Sequence, residues 1–344
     1  MKIGSIDLGN RPVTLAPMED VTDASFRILC REAGAAMVTT EFVSSDGLVR
    51  DVSKTIAKMH TLEEEAPVAV QIYGSLPDAM VDAARMADKA AELAGGHGAD
   101  FIDINWGCPV SKIAGRGAGS GMMREPDKLV AITEAIVKAV PDKPVTVKTR
   151  LGWDDNSKII VELAERLQDV GVSALTIHGR TRCQMYKGEA DWTLIGEVKN
   201  NPRIHIPIIG NGDINSAAKA KEMFDRYGVD GIMVGRASFG HPWIFTEIRH
   251  LLDTGEELPP MPVKDRVALA KRHFQLSLDL KGPVTGVYEM RRHLSCYFKG
   301  LRDFKETRIK LVTSKDPEEI FATLDYVAQR WGDETPIVEG VYGL

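Results

Sequence analysis

The sequence predicts an α/β protein: a (β/α)8 TIM barrel followed by an all-helical C-terminal domain. Three observations carry that expectation. Eight short, β-branched runs occupy the first two-thirds of the chain, at residues 13–15, 37–42, 68–73, 101–105, 145–149, 174–177, 206–209 and 231–234. They alternate with amphipathic stretches such as 77–93, 126–140 and 157–170, the pattern of successive βα units around a parallel sheet. Residues with chemical potential gather just after the runs, and in a closed barrel all strand carboxyl ends open on one face. Turn propensity explains the Asn, Asp and Gly found there. It does not explain Gln71, Lys148, Arg150 and His178, which are not turn formers.

After about residue 245 the pattern changes. Three prolines lie within 258–263, and helical periodicity without strand-like runs then covers 263–280, 285–299 and 317–331. The expected division is a barrel over 1–247, a Pro-rich linker over 248–262, and a helical domain with an irregular tail over 263–344. A chain of 344 residues, 44% hydrophobic, suits one large domain and a smaller one. The longest apolar runs, such as 67–72, are too short to span a bilayer, and the opening residues lack a basic start leading into an apolar stretch. Cys30, Cys108, Cys183 and Cys296 form no C-x-x-C pair. A reduced cytoplasmic monomer is expected, with neither a metal site nor a membrane partner.

The net charge of −6 argues against a protein that is basic throughout. Its distribution is uneven: residues 261–312 hold twelve Lys/Arg against five acids, a surplus of seven positive charges. Such asymmetry points to an anionic partner for the helical domain.

The strongest chemical element is Asn105-Trp106-Gly107-Cys108-Pro109-Val110-Ser111-Lys112, followed by a glycine-rich stretch over 115–121. A cysteine on a Gly-Cys-Pro turn at a strand end aims its thiol at the barrel mouth. With a reference pKa of about 8.5, that thiol stays mostly protonated at neutral pH and can act as an acid. A lone cysteine is more often an inert interior thiol. Position separates Cys108 from Cys30 and Cys296, which fall on helices, and from Cys183, which lies in a later loop.

Asn211-Gly212-Asp213 after the seventh run and Gly235-Arg236 after the eighth form the second element. Barrels bind phosphate with these two loops, using backbone N–H groups that glycine leaves open, and Arg236 could add charge-assisted bonds. The third element is Lys148, Arg150 and His178. Cations there suit an isoalloxazine ring, whose reduced form carries negative charge near N1 and O2, and Gln71 offers an amide to the ring's pyrimidine edge. A competing account has Lys148 pairing with an acid to steady the rim.

These pieces together resemble the tRNA-dihydrouridine synthase family. The shared motifs are Ala16-Pro17-Met18 with Thr22-Asp23 and Phe26-Arg27, Gln71-Ile72-Tyr73-Gly74, Asn105-x-Gly-Cys-Pro with Lys112, and Lys148-x-Arg150. His178-Gly-Arg180-Thr-Arg182, Asn211-Gly-Asp213 and Gly235-Arg236 complete the barrel, and the arginine-rich stretch 290–300 resembles the family's helical RNA-binding domain. The resemblance implies flavin mononucleotide (FMN) held by Ala16, Pro17, Met18, Gln71, Lys148, His178, Asn211, Gly212, Asp213, Gly235 and Arg236. It implies Cys108 as proton donor and Asn105 holding the target uracil with Arg150 close by; Arg180 and Arg182 are further candidates for substrate contact, and the basic segment supplies Arg291, Arg292, Lys299, Arg302, Lys305, Arg308 and Lys310 as candidate phosphate contacts. NADPH or NADH is implied as a transient electron donor, and the tRNA D-loop as the region modified. Two departures stand out: Glu19-Asp20 where many members carry small residues, and Trp106 where many carry Met. Both are expected beside the pocket.

The residue types suggest a mechanism. Reduced flavin would give hydride to uracil C6, and an acid on the opposite face would protonate C5, a contribution of about 10²–10⁴ in rate. A base within folded tRNA must first leave its stack, so the surrounding backbone has to be gripped, and the basic helical segment would do so. Two other readings remain open. A barrel flavoenzyme acting on a free pyrimidine, of the dihydroorotate type, would not need that basic appendix. A non-enzymatic tRNA-binding factor would not need Cys108 and Lys148.

Overall fold

A computed structural model describes residues 1–50 and 52–336. Eight parallel strands form the barrel: β1 (Val13–Leu15), β2 (Val38–Thr39), β3 (Val68–Tyr73), β4 (Phe101–Asn105), β5 (Val145–Arg150), β6 (Ala174–His178), β7 (Ile208–Asn211) and β8 (Gly231–Val234). β8 pairs with β1 through Ile232 against Val13, and a parallel Thr14–Met37 bridge joins β1 to the start of β2, closing the ring.

Two strands differ from the sequence expectation. The 37–42 run yields only a two-residue strand. After the Thr40 N–H donates to the Ala69 carbonyl (2.9 Å) the chain bends, and Val43–Ser44 pairs further along β3. β7 lies two residues later than expected and so carries Asn211 within the sheet, beside His178.

Strand alternation sorts the side chains. Val68, Val70, Ile72, Ile102, Ile104, Val145, Val147, Leu175 and Ile177 join the core between strands and helices. The opposite face fills the barrel. Ala69, Phe101, Ala174, Ile209 and Met233 pack at its amino end with Ile3 and Leu8 of an N-terminal hairpin segment. Above them the interior turns polar, toward the mouth. Helix Pro77–Asp88 shows why the outer layer folds: proline opens it, and Met80, Ala83, Ala84 and Ala87 bury one stripe.

Helix Ile244–Thr254 buries Ile244, Phe245, Ile248 and Leu251 and ends at Gly255 (φ 81°). The expected boundary at residue 247 therefore falls inside a helix, whose apolar stripe carries it past that point. Beyond the connecting segment, helix Val263–Tyr297 breaks at Gly282 (φ 75°, ψ 170°) just before Pro283, giving the two helical pieces expected from periodicity. Pro317–Trp331 is also helical, as expected. Lys305–Thr313 is an additional helix; it buries only Leu311, so no apolar stripe announced it. Phe274, Tyr297, Phe298, Phe304 and Trp331 anchor a separate core, each buried ring worth about 1.5–3 kcal/mol. Residues 337–344 of the expected tail lie outside the described residues. Among the described residues no helix is long and apolar enough to cross a membrane.

The helical region meets the barrel at helix Ala24–Glu32. Asp23 caps that helix through the Phe26 N–H (2.9 Å) and also accepts from Lys281, while Glu32 pairs with Arg272 (2.7 Å).

Candidate active site at the carboxyl end of the barrel

Asn105, the last residue of β4, shapes the cysteine turn. Its side-chain oxygen accepts from the N–H groups of Gly107 (3.0 Å) and Cys108 (2.8 Å). The Cys108 carbonyl accepts in turn from the Ser120 hydroxyl (2.7 Å), and Gly119 packs so closely that a Cβ there would sit 3.1 Å from the Cys108 Cβ. Cys108 is 8% exposed and borders a cavity of about 510 Å³ with Asn105, Lys148, Arg150, Met18 and Tyr186. Burial pushes its thiol above the ordinary value, although a backbone N–H at Val110 and the Arg150 and Lys148 charges oppose this. Cys108 is therefore a protonated thiol at neutral pH, facing the mouth.

Beneath it lies a polar layer. Asn105 donates to the Gln71 Oε1 (2.8 Å), Gln71 donates to Asp103 (2.5 Å), and Thr146 donates to the other Asp103 oxygen (2.6 Å). Burial raises the Asp103 pKa against the pull of these donors and of Lys148. Gln71, expected at a cofactor's edge, is thus fully buried and tied to its neighbours. Asp103 was missed by sequence reasoning; an acid in the middle of the otherwise apolar Phe-Ile-Asp-Ile run was the available signal.

Lys148, within β5, donates to Asn211 Oδ1 (3.2 Å), and Asn211 donates to the Met233 carbonyl (2.8 Å). Burial, helped by Arg150, lowers the Lys148 pKa to about 8. Among the described residues no carboxylate forms a salt bridge with Lys148, although the Asp103 charge opposes the lowering. His178 lies near four cations; burial, then Arg150, Lys148, Arg180 and Arg236, hold its pKa far down, so the ring is neutral.

A cavity of about 90 Å³ adjoins the Cys108 cavity, sharing Pro17, Met18, Lys148, Arg150, Tyr186 and Arg236 with it; Ala16, His178, Asn211, Gly212, Asp213 and Gly235 are among its other lining residues. Gly212 has φ 126°, and a Cβ there would meet Ala190 at 2.7 Å and His178 at 3.2 Å, so only glycine fits. The backbone N–H groups of Gly212 and Gly235 donate to no acceptor among the described residues. Open donors on two glycine loops, beside Arg236, could hold a phosphate group. The residues present fit FMN in charge and hydrogen-bonding character.

Several expected contact residues are engaged within the protein. Arg150 donates to the carbonyls of Gly107 (2.8 Å), Thr181 (3.0 Å) and Met185 (2.9 Å), so it clamps the cysteine turn to the loop after β6. Arg180 is 2% exposed and grips Asp213 with both guanidinium nitrogens, at 2.9 and 2.7 Å. Asp213, with φ 53°, also accepts from Ala190 N–H (2.7 Å) and Arg236 (3.2 Å). Its carboxylate is thus spent on bracing the loop after β7. Arg182 lies over Trp153 (4.7 Å) and borders none of the mouth cavities. Arg291 donates to the carbonyls of Thr313 and Ser314 (3.2 Å each), and Arg292 reaches the Asp20 carbonyl (3.2 Å), tying the helical region to the loop after β1. Lys299 is exposed.

The Trp106 expectation is corrected. Trp106 is fully buried in the helix layer, and its indole donates to Thr133 (3.1 Å). Strand alternation turns it away from the mouth to which Asn105 points. Glu19 does border the Cys108 cavity and pairs with Lys58 (2.5 Å). Tyr186 was missed: its ring lies 4.7 Å from the Arg236 guanidinium and 5.6 Å from that of Arg150. An isolated aromatic in a long polar loop was the only hint.

A closed parallel barrel with a protonated thiol, buried cations and two glycine loops gathered at one mouth has the layout of a barrel enzyme. The dihydrouridine synthase (Dus) family model matches residues 14–330. The chain is 42% identical over 299 residues to tRNA-dihydrouridine synthase B of Escherichia coli (strain K12), spanning 87% of this chain and 90% of that one. It is 40% identical over 318 residues to the probable tRNA-dihydrouridine synthase of Rickettsia conorii, spanning 92% and 93%. Among solved structures, histamine dehydrogenase from Rhizobium sp. 4-9 shares the fold at a TM-score of 0.55 and 12% identity, covering 97% of this chain and 64% of that one. The protein belongs to the dihydrouridine synthase family.

Proposed function

We propose that this protein reduces the C5=C6 bond of uridines in tRNA, within the D-loop, to 5,6-dihydrouridine, with FMN at the barrel mouth and Cys108 as proton donor. The observation that carries the reading is the protonated Cys108 thiol in one cavity with Lys148 and Asn105, continuous with the glycine cradle. FMN, when bound, supplies hydride from its reduced ring. Gly212 and Gly235 would hold its phosphate, Lys148 would face the ring's N1 and O2 edge, and neutral His178 would offer one donor or acceptor without adding charge.

Asn105 does two jobs on this reading. Both lone pairs of its oxygen are taken by the Cys108 turn and one amide hydrogen by Gln71, which leaves one N–H for a uracil carbonyl. The residue that binds the base therefore also fixes the acid. Cys108 gives its proton to C5 as negative charge builds there, and the raised pKa keeps that proton in place until then.

The helical region would grip the tRNA backbone. Lys299, Arg302, Lys305, Arg308 and Lys310 are all exposed on it. Family membership and the basic appendix together weigh against a free pyrimidine as substrate and against a non-enzymatic role. The test is uridine reduction on purified tRNA with FMN and a reduced nicotinamide. Cys108→Ala should keep its flavin and lose most reduction; full turnover by that variant would defeat the assignment.

A further inference from the structure

The polar side chains that line the cavity over Cys108 are almost all donors. Asn105, Lys148, Arg150, Lys187 and Arg236 bring N–H groups to it, and the Asn105 oxygen is already taken by the N–H groups of Gly107 and Cys108. Among the described residues that line it, Glu19 is the only acid. One oxygen of its carboxylate accepts from Lys58 (2.5 Å), and the other accepts from no donor among the described residues. A partly exposed ion pair of this kind adds little to stability, so the pair alone does not account for an acid at the mouth.

The turn that carries Glu19 is held from several sides. The Met18 N–H donates to the Thr22 hydroxyl (2.9 Å), and the Met18 carbonyl accepts from the N–H groups of Val21 (3.1 Å) and Thr22 (3.0 Å). Asp20 stands in the left-handed region (φ 58°); its N–H donates to the Glu41 carboxylate, and its carbonyl accepts from Arg292 (3.2 Å). Lys58 fixes the Glu19 carboxylate itself. Burial, and to a smaller extent the Glu19 charge, raises the Cys108 pKa, so this carboxylate lies within electrostatic reach of the thiol.

Uracil presents an acceptor, a donor and an acceptor along one edge: O4, N3–H and O2. The spare Asn105 N–H answers one carbonyl, and the N3–H then needs an acceptor in a cavity whose other polar side chains are mainly donors. We propose that Glu19 is a specificity-determining residue whose second carboxylate oxygen accepts the N3–H of the target uracil; the inference rests on the uridine reading above. Cytosine carries an amine in place of O4 and a bare nitrogen at position 3, so the carboxylate would face a lone pair and repel it. A single ionised acceptor among donors therefore selects uracil. Lys58 acts through Glu19, as the residue that positions it.

The test is single-turnover reduction of tRNA by FMN-loaded parent, Glu19→Ala and Glu19→Gln, with flavin content measured for each. The tRNA, assembled by ligation, carries either uridine or 3-methyluridine at the position the parent modifies. The parent should reduce the methylated base about a hundredfold more slowly than uridine, since its N3–H is gone. Glu19→Ala should reduce uridine about ten- to a hundredfold more slowly than the parent and bring the two bases within about threefold of each other. Glu19→Gln, whose amide oxygen can still accept, should fall between the parent and Glu19→Ala on uridine. Parental rates on uridine in both variants would overturn the proposal, as would a uridine to 3-methyluridine ratio that Glu19→Ala leaves unchanged. So would loss of FMN from both variants, since Glu19 would then serve the cofactor. A parent that reduces no tRNA uridine would overturn the uridine reading and this assignment with it. A parent active on uridine, with a ratio indifferent to Glu19, would overturn this assignment alone.

Discussion

Replacing Lys148 with methionine should pull stability and cofactor affinity in opposite directions. Lys148 is charged at pH 7, yet burial has lowered its pKa from the ordinary 10.5 to about 8. A lysine with a depressed folded-state pKa binds its proton less well folded than unfolded, so the charge costs stability at pH 7. At 1.36 kcal/mol per tenfold shift the cost is at most about 3 kcal/mol, and losing the 3.2 Å bond to Asn211 offsets part of it. The apo variant should therefore be about 1–2 kcal/mol more stable than the parent at pH 7. The gain should shrink as pH rises from about 8 toward 10.5, where the unfolded chain alone still holds the proton. Flavin affinity should go the other way. A charge-assisted bond to the ring is worth about 1.5–3 kcal/mol, so FMN should bind about ten- to a hundredfold more weakly. Urea denaturation of apo protein across pH and flavin-fluorescence titration give the two numbers. A variant less stable than its parent at pH 7, with FMN binding unchanged, would refute both the charge state and the placement of Lys148.

The rest of the site and the domain contact yield further expectations. Asp213→Asn leaves the buried Arg180 guanidinium without its acid and should cost about 3 kcal/mol in urea denaturation, with FMN loss as the loop around Ala190 loosens. Lys281→Met strands Asp23, whose pKa is lowered mainly by that lysine against the effect of burial; the loss should be about 2 kcal/mol, and Asp23→Asn in the same chain should recover part of it while keeping the helix cap. Gly119→Ala puts a methyl 3.1 Å from the Cys108 Cβ at φ 54° and should slow uridine reduction while FMN content stays unchanged. Lys299→Ala should lower the salt dependence of tRNA affinity by about one charge, read from the slope of log K against log salt.

The barrel was legible in the sequence because each strand repeats the same conflict between an apolar outer face and an inner face that becomes polar toward the mouth. Asn105, Lys148, His178 and Asn211 could be placed at one end because they fall at or just after the ends of the apolar runs. What residues do to one another across the barrel was not legible. Nothing local says that Arg150 spends its guanidinium on three carbonyls, or that Arg180 and Asp213, 33 residues apart, form a bidentate pair. Trp106 beside Asn105 looked like a pocket residue in the linear order, and a half-turn of pleat sends it into the helix layer instead. That a helix crosses residue 247 was hidden for a related reason: its apolar stripe, Ile244, Phe245, Ile248 and Leu251, runs on without a break.

The heart of the account is the thiol facing a base held over the flavin. Its most direct test is a single-turnover measurement in which chemically reduced, FMN-loaded Cys108→Ala is mixed anaerobically with unmodified tRNA and the return of oxidised flavin is followed. Flavin oxidation should slow by about 10²–10⁴ relative to the parent, with tRNA affinity unchanged. Oxidation at the parental rate, with dihydrouridine formed in step, would show that the proton comes from elsewhere.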